Sequence, residues 1–365
     1  MKISKMTSVL LAIPMPKPVG RHKDEPLSAK IMYPLIVQLT ADNGLESFGL
    51  VVTGPNDRYV KSLKAIVDSL GEIVIGQDVH RWAAAWQKLC DATRHMANSG
   101  YGMLAVAAID TALWSMRAKE HKIPLGYLLG GFRERVPVYA SHRLFRNWTI
   151  DELQKDSALL VEQGFRAMKI RMGDEPFGVE IERLKAVREA VGKNVDIMID
   201  VNSTWTVSET IKMGRKIEKY DVYWLEDPLA TDDPDQLAQV ANALDIPIVA
   251  GESHSGKYEF RELIDKHSVD ILQVDVQAVG GITGWMKVAA MAEVWNIPVA
   301  SHLFHEFSLH LVAAVPNGLV VEYMPWWDVI YKVPPQVKDG YMEIPNLPGI
   351  GLELDPDVLK KYELK

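Results

Sequence analysis

Asp200, Glu226 and Glu252 stand 26 residues apart, and each closes a short apolar run: Val195-Asp-Ile-Met-Ile, Val222-Tyr-Trp-Leu and Ile246-Pro-Ile-Val-Ala-Gly. If the runs are strands, the three carboxylates project toward one point, where they repel one another unless a cation is present. An oxygen-only set without cysteine or histidine suits Mg²⁺, one ion per subunit, with positions left for water and substrate. One such acid alone reads more readily as a helix cap or a solvated side chain. Three at the same place in consecutive repeats favour the metal. Acid–base groups flank them. Lys169 and Arg171 lie two apart on one run, so their side chains share a face, and Asp275 and His302 end the next two runs on the other side. A carboxylate beside an imidazole fixes its tautomer and raises its basicity.

The elements that must position these groups follow from the same pattern. Between the acids lie segments of helical periodicity, Val207, Ile211, Gly214 and Ile217 in one, Leu237, Val240, Ala241 and Leu244 in the next. Thr206 with Glu209 predicts a capping box, and Asp233 before Pro234 predicts an N-cap with proline at the first helical position. Continuous apolar strands alternating with helices imply parallel strands buried on both faces. Val136-Pro-Val-Tyr-Ala before Ser141, Phe165 to Ile170 before Arg171, Ile271-Leu-Gln-Val before Asp275, Ile297 to Ser301 before His302, and Gly318-Leu-Val-Val before Glu322 complete eight candidate strands. Eight evenly spaced strands favour an α/β barrel over an open doubly wound sheet, with the functional face at the C-terminal strand ends.

Residues 1–130 read differently. Leu35 to Thr40 and Leu45 to Val52 flank an Asn43-Gly44 turn, a strong hairpin signal, and three helical stretches follow near 57–70, 79–96 and 102–121. The expected division is an α+β capping domain over 1–130, joined by the tail 329–365, and a barrel over 131–328. The segment from Lys17 through Arg21, His22, Lys23 and Asp24 is charged and carries glycine and proline, as a loop closing over the barrel mouth would.

The chain has 365 residues, 48% hydrophobic and 24% charged, with a net charge of −8 and scattered basic residues. Nucleic acid and anionic membrane are not expected partners. Cys90 stands alone, which excludes an internal disulfide. Met1-Lys-Ile-Ser-Lys-Met lacks the features of a signal peptide, and no stretch approaches a membrane span, so a soluble cytoplasmic enzyme is expected. Two motifs lead nowhere: Gly280-Gly-Ile-Thr-Gly284 does not have dinucleotide spacing, and His302-Leu-Phe-His305-Glu306 does not have the order of a zinc protease.

The pieces Gly164-Phe-Arg-Ala-Met-Lys-Ile-Arg, Asp200-Val-Asn202, Trp224-Leu-Glu-Asp-Pro, Ala250-Gly-Glu252, Asp275 with Gly280-Gly-Ile-Thr-Gly-Trp, and Ser301-His-Leu-Phe together resemble the mandelate racemase subgroup of the enolase superfamily. The resemblance spans nearly the whole chain. It implies a (β/α)7β TIM-like barrel under an α+β cap, a bound Mg²⁺, a small-molecule carboxylate substrate and abstraction of the proton α to its carboxylate. A homo-oligomer, an octamer among its forms, is expected. By motif, Asp200, Glu226 and Glu252 become metal ligands and His302 with Asp275 the base dyad. Glu322 becomes the acid that hydrogen-bonds the enediolate, donating a proton across from Lys169, while Ser141 and Asn202 lie near the substrate.

Position 171 departs from the resemblance. Many members carry Lys-x-Lys, with the second lysine as a base, whereas this chain has Lys169-Ile-Arg171, and a guanidinium stays protonated. One face of the α-carbon then lacks a proton acceptor, which favours an acid-sugar dehydratase, needing only His302, over a racemase or cycloisomerase. A metal-binding barrel without catalysis is the third reading. Arg21, His22 and Lys23 of the loop, with Ser141, His142 and Arg143, are expected to meet hydroxyls or a second carboxylate.

Overall fold

The computed structural model describes residues 1–19, 29–53, 59–96, 99–229 and 233–364. The segment carrying Arg21, His22, Lys23 and Asp24 lies outside them, so its expected contact with substrate stays an expectation. Strands β1 (Ile3–Leu10), β2 (Ile13–Val19), β3 (Ala29–Ala41) and β4 (Glu46–Thr53) form an antiparallel sheet in which β3 pairs with all three others. The β3–β4 hairpin turns at Asn43-Gly44, where Gly44 takes φ 82°. Helices α1 (Val60–Val74), α2 (Trp82–Thr93) and α3 (Gly100–Glu120) cover one face of this sheet and enclose a core of Leu35, Val37, Leu63, Val67, Leu89, Val106 and Ile109. The short α4 (Leu125–Leu128) follows.

Eight parallel strands then close a barrel. They are β5 (Arg135–Ala140), β6 (Ala167–Arg171), β7 (Asp196–Asp200), β8 (Val222–Glu226), β9 (Ile248–Ala250), β10 (Ile271–Asp275), β11 (Val299–His302) and β12 (Val321–Tyr323). Their order runs from β11 back to β5 and on to β12. Backbone bonds from Leu319 N to Val299 O (2.8 Å) and from Ser301 N to Val320 O (3.2 Å) join the ends. Seven helices lie between them: α5 (Ile150–Glu162), α6 (Phe177–Val191), α7 (Val207–Ile217), α8 (Pro234–Ala241), α9 (Gly256–Asp265), α10 (Ile282–Val294) and α11 (His305–Ala314). The chain is therefore a barrel of eight strands, as the strand-ending pattern implies, in the (β/α)7β form that the family resemblance implies, with an N-terminal sheet-and-helix unit. Thr206 and Glu209 form the expected capping box on α7, and Asp233 accepts from Asp235 N and Gln236 N at the start of α8.

Alternation along the strands fills the barrel interior. Tyr139, Ala167, Met198, Trp224, Val249, Ile271, Ala300 and Val320 make an apolar layer inside it, and the opposite faces pack outward on the helices. The layer keeps water from the underside of the site.

After the barrel, β13 (Tyr341–Glu343) adds antiparallel to the start of β5, and α12 (Pro356–Tyr362) leads to backbone bonds from Leu364 N to Leu10 O and from Ala12 N to Tyr362 O. The expectation that the tail runs back onto the N-terminal unit leaves out β13, because three residues show no readable period. The Gly280-Gly281 turn proves to be a seam between the two units. Thr283 donates to Asp110 of α3 from N (2.8 Å) and Oγ1 (2.7 Å), and a Cβ on Gly281 would stand 2.5 Å from Asp110 Oδ2. Burial pushes the Asp110 carboxyl up to about 7.

His310 of α11 is fully buried, accepting from Gly126 N at Nδ1 (3.1 Å) and donating from Nε2 to Ile350 O (3.2 Å). Burial lowers its imidazole from 6.5 to about 4. Between those values the unfolded chain binds a proton that the folded one refuses, so stability present above 6.5 is lost as pH falls, by up to about 3 kcal/mol. Urea unfolding of His310→Gln, which keeps an acceptor and a donor, should therefore show a shallower loss of stability from neutrality to about pH 5 than the native chain. An identical slope would remove His310 from the acid response.

Candidate active site

Asp200, Glu226 and Glu252 meet above the apolar layer, with one carboxylate oxygen from each inside a 4.8 Å span. Asp200 and Glu226 are the last residues of β7 and β8. Glu252 is not at a strand end: β9 stops at Ala250, and Gly251, at φ 138°, turns the chain so that residue 252 enters the cluster from the loop. A Cβ at position 251 would meet Gln273 O at 2.4 Å, so only glycine makes this turn.

Lys169 and Arg171 both face into the barrel. The Lys169 ammonium, 1% exposed, lies 2.5 Å from Glu226 Oε1, 3.0 Å from Glu322 Oε1 and 3.4 Å from Asp200 Oδ2. Burial alone would lower it, but Glu226, Glu322 and Asp200 more than offset this and hold it charged. Arg171 donates from Nη1 to Ser141 O and from Nη2 to Ser141 Oγ, both at 2.8 Å, and stacks over Phe145 at 4.1 Å. Its Nε is 3.8 Å from Asp200 Oδ2. Ser141, fully buried, also hydrogen-bonds Glu322. Asn202, in the left-handed region at φ 43°, donates its backbone N–H to Asp200 Oδ1 (2.9 Å).

Opposite them, His302 Nδ1 donates to Asp275 Oδ2 at 2.7 Å, while Nε2 points at Glu252 Oε2 across 3.2 Å. The other oxygen of Asp275 accepts from Gln277 N (2.7 Å) and Ala278 N (3.3 Å), which fixes the dyad. The Gln277 side chain in turn accepts from Val52 N of β4, tying the dyad's loop to the N-terminal sheet. Burial opposes protonation of His302, but Glu252, the Asp275 hydrogen bond and Glu322 raise it to about 10.

The carboxyls outnumber the cations that face them. Burial, then Asp200 and Glu252, push Glu226 up to about 8 against the pull of Lys169. Asp227, whose two oxygens are buried and accept no hydrogen bond among the described residues, is driven well above the carboxylate range by burial and then by Glu252, Glu226 and Asp200. Such a cluster needs protons or a cation, and its all-oxygen donors fit a hard divalent ion.

Burial raises the Glu322 carboxyl, yet Lys169, His302 and bonds from Ser141 and Leu303 N (2.8 Å) lower it to about 2, which works against the protonated donor expected there. His142 and Arg143 do not turn into the barrel. His142 packs on Phe165 and Tyr323, and Arg143 pairs with Asp156 at 3.0 Å, in a cavity also lined by Lys17, which pairs with Glu152 at 2.8 Å. Sequence reasoning also missed Gln277, Asp227 and Arg146. Buried Arg146 donates to Met172 O and Val201 O, holding the ends of β6 and β7 together. The only sequence signal is the Glu226-Asp227-Pro228 motif, which names Asp227 without a role.

Lys169→Met keeps the length and apolar stem but leaves Glu226, Glu322 and Asp200 without their shared cation. Stability should drop by about 3–5 kcal/mol in urea unfolding without added metal. An unchanged midpoint would show that the ammonium is not what holds these carboxylates.

Residues 152–358 match the family described as enolase C-terminal domain-like, and residues 29–130 match the mandelate racemase / muconate lactonizing enzyme N-terminal domain. L-talarate/galactarate dehydratase from Salmonella typhimurium is 32% identical over 97% of this chain and 89% of its own length. A 3,6-anhydro-alpha-L-galactonate cycloisomerase from Streptomyces coelicolor is 28% identical over 97% of both chains. The crystal structure of L-talarate dehydratase from Polaromonas sp. JS666, complexed with Mg and L-glucarate, superposes with a TM-score of 0.95 at 28% identity, covering 100% of this chain and 98% of that one. Matched in both its halves, the chain belongs to the mandelate racemase/muconate lactonizing enzyme family of the enolase superfamily.

Proposed function

We propose that the protein is an Mg²⁺-dependent acid-sugar dehydratase that works with one base, His302. The observation that carries this reading is Arg171. Where a second base would stand, a guanidinium is committed to Ser141, Asp200 and Phe145, and it stays protonated. Lys169, on the same face, is held charged among three carboxylates and is a poor proton acceptor. Both a dehydratase and a cycloisomerase are similar over nearly the full chain, so Arg171 is what separates the two readings.

Asp200, Glu226 and Glu252 would hold the Mg²⁺, which supplies positive charge to the substrate carboxylate and to the enediolate that grows from it. Lys169 and Arg171 add fixed positive charge on the strand ends beside it. The Asp275 hydrogen bond keeps His302 Nε2 directed inward at the carboxylate cluster. A cation held beside Glu252 would offset the first charge that raises His302 and so favour the neutral imidazole that takes the α-proton. Electrons from the broken C–H bond then form the C–C double bond as the β-hydroxyl leaves, and His302 returns its proton to that oxygen, releasing water. The resulting enol rearranges to a 2-keto-3-deoxy acid.

Among the described residues no helix is long and apolar enough to cross a membrane. A cytoplasmic home, supported by a single unpaired cysteine, and a homo-oligomer belong to the same proposal.

Chelation followed by dialysis should abolish turnover of acid sugars to 2-keto acids, and Mg²⁺ should restore it. Full activity after chelation would remove the metal from the mechanism. In D₂O the native enzyme should exchange the α-proton of one configuration only, and His302→Asn should lose that exchange. Comparable exchange of both configurations would place a second base at Lys169 or Arg171 and support the racemase reading.

A further inference from the structure

On the N-terminal unit, outside the acid cluster, His80, Glu120 and His121 bring one ligand atom each within 4.8 Å of one another. His80 sits in the single helical turn Val79–Arg81 that precedes α2, and Glu120 and His121 are the last residue and C-cap of α3. The position of His80 is fixed by Asp78, whose carboxylate accepts from His80 N at 3.0 Å.

Glu120 Oε2 is the informative atom. It is shielded from solvent, accepts no hydrogen bond among the described residues, and faces His80 Nε2 across 3.3 Å. Arg117, three residues upstream, could have paired with it, but its guanidinium is drawn over Trp114 (4.3 Å) and Trp82 (5.4 Å). The 3.3 Å separation has a ready meaning. A tetrahedral Zn²⁺ with bonds of about 2.0–2.1 Å sets its ligand atoms about 3.3 Å apart along each edge. The two imidazoles are 6.3 Å apart at 67°, edge to face and unstacked, so an ion can stand between them. His121 is exposed, so its ring has room to turn toward the other two ligand atoms, which lie within 4.8 Å. The carbonyl end of α3 adds a partial negative charge.

We infer that His80, Glu120 and His121 form a second metal site, of a class different from the acid cluster. Two imidazoles and one carboxylate, with a fourth position open to water, favour a borderline ion such as Zn²⁺ and disfavour Mg²⁺, which prefers oxygen donors. The ion would clamp the turn leading into α2 to the end of α3, and so brace the unit that rests on the barrel. It would bind the native state alone and raise its stability with metal concentration.

The test uses the full chain in excess Mg²⁺, titrated with ZnCl₂ by calorimetry. The native chain should bind one more Zn²⁺ per subunit than His80→Gln or His121→Gln, and its thermal midpoint should climb with Zn²⁺ while theirs does not. Mg²⁺-dependent turnover should be alike in all three, which also shows that the variants are folded. Independently of any variant, Co²⁺ bound in excess Mg²⁺ should give the intense visible bands of a tetrahedral nitrogen–oxygen site. Equal Zn²⁺ stoichiometry in the native chain and both variants, or only the weak spectrum of an octahedral oxygen site, would overturn the assignment.

Discussion

The buried ammonium of Lys169 is the point on which this architecture turns. It touches Glu226, Glu322 and Asp200 from a place with almost no contact with solvent, above a layer of apolar side chains. Carboxylates gathered in a low dielectric repel strongly, and without a fixed cation among them they would be protonated or pushed apart. The barrel supplies that cation from β6, between the strands that deliver the acids. Trp224, donating from Nε1 to Glu226 Oε2 at 3.0 Å, links the apolar layer below to the charged layer above. A parallel barrel is suited to this because each strand sends alternate side chains inward, so charged and apolar layers stack without sharing a level.

Around that point each functional side chain is held by a neighbour that does no chemistry. The carboxylate of Asp275 is gripped by two backbone N–H groups before it grips His302, and Gln277 extends the grip to β4 of the N-terminal sheet. Arg183 donates to the carbonyls of Trp148, Phe145 and Arg171, while Glu180 accepts from Gly173 N and Glu175 N, so the loops after β5 and β6 cannot drift apart. Phe145, thus placed, is the ring over which Arg171 lies. A second buried set, His305 with Asp328 at 3.0 Å and Glu306 accepting from Trp327 and Tyr331, anchors the turn that follows His302. The geometry of this site thereby rests on hydrogen bonds that do not touch the acid cluster itself.

The same logic accounts for a motif that carries no chemistry. Gly280 and Gly281 look like a ligand loop in the linear sequence, but their lack of side chains lets α3 approach α10 closely enough for Asp110 to accept from Thr283. Together with the Gln277 contact, this seam makes the N-terminal unit a fixed roof beside the dyad.

Sequence alone determined what is repetitive or local. The strands end at Arg171, Asp200, Glu226, Asp275 and His302, the Asn43-Gly44 hairpin turns where expected, and the caps of α7 and α8 form, because strand and helix periods and cap chemistry are set by neighbours in the chain. The meeting of three acids was legible because their spacing matched the repeat. Tertiary structure decided the rest. Glu252 reaches the cluster only through the turn at Gly251, and Glu322 meets Lys169 because β12 and β6, distant in sequence, flank β5 in the closed barrel. His142 and Arg143 follow Ser141 directly, yet pack on Phe165, Tyr323 and Asp156, since a loop residue's direction is chosen by the aromatic rings and acids it meets, not by any period. Arg146 and Gln277 gained their roles from carbonyls and amides of other strands, and a single arginine or glutamine in a sequence gives no sign of which distant backbone it will hold.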